Sequence, residues 1–200
     1  SMVLFQIASL VGVAWWLLAL LWLRFFTFGA VHGNGRARAL KLAAGTLAVL
    51  PAWAALVWLH ATPDKGNLWL LTALTMVWAA DSGAYFAGRA FGKHKLAPRI
   101  SPNKTIEGLL GGMLAGIAVA CAFGWLAGLT LAHVPQLVLV AALTVLASVL
   151  GDLFESLLKR QAGAKDSGTL IPGHGGVLDR IDGVLAALPV FALSKEILGF

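Results

Sequence analysis

Apolar stretches of about twenty residues recur along this 200-residue chain, each long enough as a helix to cross a hydrocarbon layer ~30 Å thick. No other feature constrains the fold as tightly. Backbone N–H and C=O groups in lipid must be satisfied internally, so runs of this length can only be helices. Six candidate spans lie at about 3–23, 40–59, 68–87, 108–131, 136–158 and 181–198. The sequence is 59% hydrophobic and only 12% charged, where an average soluble domain is about a quarter charged. A water-soluble fold of this size could not hide that much apolar surface. The expected architecture is all-α: a polytopic membrane helix bundle of about six transmembrane helices, forming a single integral membrane domain over residues 1–200.

The first apolar run is longer than the core of a signal peptide and has no positive stretch before it, so it reads as a span rather than a cleaved address. Net charge is +6, and in a membrane chain the placement of the cations says more than their sum. Thirteen of the fifteen Lys and Arg fall in or beside the connections between spans one and two, three and four, and five and six. Lys65 and Lys195 remain for the other side. Positive charge gathers in cytosolic loops during insertion, so the three basic connections are expected in the cytosol, with both ends of the chain on the opposite face. Basicity of this origin gives no reason to expect nucleic acid as a partner.

Gly108, Gly112, Gly116, Ala120, Gly124 and Gly128 place a small residue at every fourth position of span four. Such a stripe lets another helix approach closely, and it is expected to pack within the subunit or in a homodimer. Pro51 should kink span two. The single cysteine, Cys121, lies in an apolar run and has no disulfide partner in the chain.

Acidic residues are rare inside membranes and costly there, yet Asp81, Asp152 and Glu155 interrupt otherwise apolar segments. Asp152 precedes Lys159 by seven residues and Asp81 precedes Arg89 by eight. Both carboxylates therefore lie roughly 10–12 Å inside the basic ends of their helices, at one depth. Asp152 and Glu155 are three apart, as are Asp179 and Asp182, so each pair shares a helix face. Hard oxygen donors without accompanying Cys or clustered His suit Mg²⁺, which leaves its remaining positions to water and phosphate. The structural alternative is that these acids neutralise Lys159, Arg160 and Arg180 within the bundle. A cation or proton pathway is the functional rival.

The connection from Lys159 to Arg180 carries Lys159, Arg160, Lys165 and Arg180 around the turn Pro172-Gly173-His174-Gly175-Gly176. Glycines allow backbone N–H groups close to phosphate oxygens, and the cations neutralise them. His174 could donate to phosphate or act in proton transfer, although a histidine in a turn more often satisfies local backbone. Between spans three and four, Ser101, Asn103, Lys104, Thr105 and Glu107 form a second polar set that also reads as a turn and helix entry.

The stretch Ser156-Leu-Leu-Lys159-Arg160, then Lys165-Asp166-Ser167-Gly168, then Pro172-Gly-His-Gly-Gly-Val-Leu-Asp179-Arg180-Ile-Asp182 resembles the signature of the phosphatidate cytidylyltransferases, also called CDP-diacylglycerol synthases. Asp81-Ser-Gly-Ala-Tyr85-Phe-Ala-Gly-Arg89 and Ser101-Pro-Asn103-Lys104-Thr105-Ile-Glu107-Gly108 resemble the same family, with Asn103 where many relatives carry Lys. The resemblance covers most of residues 78–183. Relatives usually carry further helices before this region, so the chain is expected to be a shortened one.

The resemblance implies condensation of CTP with phosphatidic acid to give CDP-diacylglycerol and pyrophosphate, with Mg²⁺ required and a second, monovalent cation a candidate companion. It implies Asp152 and Asp179 as metal ligands supported by Asp182 and Glu155, with Asp152, Asp179, Asp182, Lys159 and Arg160 as the catalytic set. Substrate contacts fall to Asp81, Arg89, Ser101, Lys104, Thr105, Lys165, Asp166, His174, Gly175, Gly176 and Arg180. The implied location is the plasma membrane, or the inner membrane of a Gram-negative bacterium, with the site facing the cytosol. A CDP-alcohol phosphotransferase fits less well, because its opening Asp-Gly-x-x-Ala-Arg is missing and its later aspartates stand four apart rather than three.

Overall fold

The computed structural model describes residues 2–25, 35–164, 166–168 and 176–199. Within them the chain forms six long helices: α1 Met2–Phe25, α2 Gly35–Ala61, α3 Gly66–Phe91, α4 Ile106–Leu126, α5 Val134–Gln161 and α6 Leu178–Leu198. Met2–Arg24, Lys41–Ala61, Ile106–Leu126 and Leu131–Gln161 are long and apolar enough to cross a bilayer. The remaining two, α3 and α6, have spanning length but carry Asp81, Arg89, Asp179, Arg180 and Asp182. The fold is an all-α polytopic bundle whose outer faces expose large apolar side chains such as Leu4, Leu17, Leu42, Leu114 and Ile197, as contact with lipid requires.

One element departs from the all-helical expectation. Lys95–Ala97 (β1) and Ser101–Thr105 (β2) pair as a small antiparallel hairpin, with Lys95 opposite Thr105 and Ala97 opposite Ser101. Thr105 closes the hairpin and starts α4, its Oγ1 accepting from the Gly108 N–H at 3.1 Å. Glu107 ties the entrance down by accepting from the backbone N–H groups of Lys93 and His94 and from the His94 ring at 2.6 Å.

The small-residue stripe of α4 packs as expected over five of its six positions. Gly108, Gly112, Gly116, Ala120 and Gly124 are buried. A Cβ at Gly112 would stand 2.6 Å from the Ala80 carbonyl oxygen of α3, and one at Gly124 2.6 Å from Leu137 of α5. The stripe therefore serves α3 at one end and α5 at the other. Gly128 is the exception: α4 ends at Leu126, and Gly128 lies beyond it at φ +81°, a left-handed turn that glycine adopts without strain. Pro51 stays inside a continuous α2, where Gly12 of α1 seats against it.

Lys65 and Lys195, the two cations outside the basic connections, lie at one end of the bundle with structural partners. Lys65 Nζ donates to the Ala127 carbonyl past the end of α4, and Lys195 Nζ lies 5.0 Å from the Trp69 ring centre. The opposite end holds Asp152, Glu155, Asp179 and Asp182. There α5 and α6 nearly touch: a Cβ at Gly151 would come within 2.5 Å of the Asp182 carbonyl oxygen, and one at Gly183 within 3.3 Å of that of Ser148. Asp152 and Asp182 are the immediate neighbours of these two glycines.

Gly151→Ala should therefore force the helices apart and cost about 1–3 kcal/mol. Gly45→Ala, with nothing within 4 Å of its added Cβ, should be neutral or stabilising by about 0.5–1 kcal/mol. Thermal unfolding in detergent reads both.

Candidate active site

The close approach at Gly151 and Gly183 sets the acids of α5 and α6 around one cavity of about 600 Å³. Its polar walls are Asp152 and Lys159 of α5, Asp179, Arg180 and Asp182 of α6, Asp81 of α3, and Asp166 from the loop, with Trp78 and Leu74 on the apolar side. Seven residues singled out from the sequence thus share one space. A second cavity, about 630 Å³, lies between α3, the hairpin, α4 and α5. It takes in Arg89, Ser101, Lys104 and Thr105, and Asp81 and Asp152 line both cavities.

Cations hold this acid layer together. Lys159 reaches Asp179 Oδ1 at 2.5 Å and Glu155 Oε2 at 2.7 Å, the latter one helical turn away on α5 and nearly fully buried. Lys104, brought in by β2, pairs with Asp152 Oδ2, and Ser156 Oγ donates to Asp152 Oδ1 at 3.3 Å. The pairing reading is therefore partly right: Lys159 does neutralise buried acids. Arg160 is exposed and lines neither cavity.

Asp179 also organises the loop that precedes it. Its Oδ2 accepts from Ser167 N at 2.9 Å, Ser167 Oγ at 2.7 Å and Gly176 N at 2.7 Å. The Gly176 N–H thus points at a protein carboxylate, where the sequence reading had phosphate in view. A Cβ at Gly176 would stand 2.9 Å from the Gly168 nitrogen, so the close fold-back needs glycine. Lys165, His174 and Gly175 fall outside the described residues.

The hydroxyl of Thr105 is engaged at the start of α4, which agrees with its helix-entry reading. Among the described residues no three His, Cys, Asp or Glu side chains stand in a ligating arrangement for a metal. The oxygens themselves suit a hard cation: Glu155 Oε1 is buried without a hydrogen-bond partner, and Asp152 and Asp182 face the cavity beside it.

Comparison with known sequences decides the family. A model described as the cytidylyltransferase family matches residues 1–198. The chain belongs to the cytidylyltransferase family. It is 48% identical over 183 residues to a phosphatidate cytidylyltransferase of Pseudomonas aeruginosa, covering 92% of this chain and 66% of that protein. A protein of the same name from Haemophilus influenzae is 43% identical over 195 residues, 94% of this chain and 67% of that one. A third, from Bacillus subtilis, is 45% identical over 124 residues, covering 62% of this chain and 46% of the relative. The chain thus spans about two thirds of the length of the first two relatives and under half of the third.

In this cytidylyltransferase family member, three features of the site escaped the sequence reading. Ser167 carries no signal of its own within its motif, yet it supplies two of the four donors around Asp179. Ser156 does have a signal: its position four residues after Asp152 on one helix is the spacing for the bond it makes. The Lys104–Asp152 pair joins residues far apart in the chain and left no local trace.

Asp179→Asn replaces one acceptor oxygen with an amide that faces donors. Loss of a hydrogen bond to a charged group costs about 1.5–3 kcal/mol, so amide hydrogen exchange at Ser167 and Gly176 should accelerate by about tenfold or more. Exchange within α5 should change little.

Proposed function

We propose that this chain transfers the cytidylyl group of CTP to phosphatidic acid, releasing pyrophosphate and forming CDP-diacylglycerol, from a site that opens to the cytosol. The observation that carries the reading is the convergence of Asp81, Asp152, Asp179, Asp182, Lys159 and Arg180 on one cavity at the basic end of the bundle. Membership of the cytidylyltransferase family supports the nucleotide, and the names of the relatives support the lipid. Acids at this depth suit a reaction between a membrane lipid and a water-soluble nucleotide.

In the reaction, an oxygen of the lipid phosphate attacks the α-phosphorus of CTP. The new P–O bond forms as the bond to the β-phosphate oxygen breaks, and its electron pair leaves with pyrophosphate. A phosphomonoester is largely dianionic near neutral pH, with a second pKa near 6, so the nucleophile needs no protein base. The side chains align two anions and offset charge on the departing group. Lys159 and Arg180 stand on the cavity wall to do this, and Arg160 follows Lys159 in sequence.

Mg²⁺ is the proposed cofactor, with Asp152 and Asp182 as cavity-facing donors, Glu155 behind them, and Asp179 holding the loop and Lys159 in place. When bound, it would neutralise triphosphate oxygens and polarise the α-phosphorus. Lys104 and Lys159 now neutralise part of the acid layer, so they are positioned to exchange carboxylate contacts for phosphate contacts as substrates enter. The proposed membrane is the plasma membrane, or the inner membrane in a Gram-negative cell.

The test is incorporation of radiolabelled CTP into chloroform-soluble product by the purified protein in mixed micelles with phosphatidic acid, with and without Mg²⁺. Product should require all three components. Asp152→Asn should lower kcat/KM by about a hundredfold or more, as expected for loss of a group that stabilises transition-state charge. Arg160→Gln should cost less than tenfold.

A further inference from the structure

The two cavities differ in chemistry and meet at a common wall. The first is bounded mainly by charged side chains. The second has a largely apolar lining, including Leu96, Leu109, Val145 and Val149, with glycines at 88, 108 and 112 lowering the walls to backbone level. Its cations are Lys104 and Arg89. Lys104 sits at the junction, because it is paired with Asp152, which lines both spaces.

Arg89 Nη1 donates to Tyr85 Oη at 3.1 Å, and both residues are exposed on the outer face of α3 and line this cavity. Phe86 and Phe91, also exposed, flank them on the same helix. Aromatic rings with a polar partner, next to an arginine, suit the level where headgroups meet acyl chains. A largely apolar chamber whose two cations, Lys104 and Arg89, stand with Ser101, Asn103 and Thr105, and whose acids Asp81 and Asp152 lie on the wall shared with the first cavity, has the chemistry of a phospholipid headgroup seat. A nucleoside triphosphate would set its polar base and ribose against the apolar wall of Leu96, Leu109, Val145 and Val149, and its several negative charges near Asp81 and Asp152.

We propose that the cavities divide the substrates: the chamber between α3, the hairpin and α4 seats the phosphate and glycerol of the diacyl lipid on Lys104 and Arg89, and the acid-walled cavity takes the nucleotide. This rests on the cytidylyltransferase reading and adds which residues discriminate between its substrates. The lipid enters past Tyr85, with its tails remaining outside along the apolar face of α3. Its phosphate displaces Asp152 from Lys104, which brings the attacking oxygen to the wall shared with the nucleotide. Lys104 is thereby a specificity residue for the lipid.

Steady-state kinetics of the full chain in mixed micelles tests the division, varying phosphatidate at saturating CTP and the reverse. Lys104→Gln and Arg89→Gln should each raise KM for phosphatidate about tenfold while KM for CTP stays within about twofold. Arg180→Gln, on the other cavity, should do the opposite, and Lys104→Arg should recover most of the lipid KM. A rise in KM for CTP without one for phosphatidate in the Lys104 or Arg89 variants overturns the assignment. So does a fall in kcat with both KM values unchanged. Wild-type protein that makes no CDP-lipid would defeat the parent reading instead.

Should the glutamine variants not fold, maleimide labelling of Asn103→Cys in a Cys121→Ser background decides the matter, since Asn103 lines the second cavity. Short-chain phosphatidate should slow labelling several-fold and CTP should not. Protection by CTP alone would overturn the proposal.

Discussion

The contact on which the rest of the site depends is the approach of α6 to α5 at Gly151. The Asp182 carbonyl lies where a Cβ on residue 151 would have to go, so any larger side chain would separate the two helices. Because Asp152 follows Gly151 and Asp182 precedes Gly183, close packing of the backbones and convergence of the carboxylates are one geometric event. The bundle gains van der Waals contact at that point, which is the main attraction available between helices in lipid. It also brings together like charges that would otherwise repel.

That repulsion explains the placement of the lysines. A charged side chain deep in a membrane costs about 2.5–3.5 kcal/mol on insertion scales, and several acids together cost more unless cations or ligands neutralise them. Lys159 bridges Glu155 and Asp179, and Lys104 reaches Asp152 from the hairpin. The hairpin has no counterpart in the helical architecture, and its clearest contribution is to carry Lys104 to that position. On the proposed reading, a polyanionic substrate and a divalent cation would enter this ion-paired acid layer by exchanging partners, without leaving net charge buried.

The helices were legible because their signal is long: each of the six apolar runs falls largely within an observed helix, and the stripe from Gly108 to Gly124 packs as its spacing implies. Gly128 escaped because a small residue ending a helix looks the same in sequence as one packing within it; only the positive φ separates them. The hairpin escaped because its strands are three and five residues long, and Ser101-Pro-Asn-Lys-Thr105 lacks the apolar alternation that marks a strand. The acids stood out for their rarity in apolar surroundings. Their partners did not, since Lys104 and Ser167 are ordinary loop residues until the fold places them. The separation into two cavities sharing Asp81 and Asp152 is a property of packing alone.

The central claim is that the acids gathered by the Gly151 contact form one cation site facing a phosphate-binding cavity. Mn²⁺ binding followed by electron paramagnetic resonance, with the protein in lipid nanodiscs, tests it without relying on turnover. The account predicts bound Mn²⁺ that Mg²⁺ displaces, lost in both Asp152→Asn and Asp182→Asn and retained in Arg160→Gln. Binding of equal strength in wild type and both aspartate variants would contradict it.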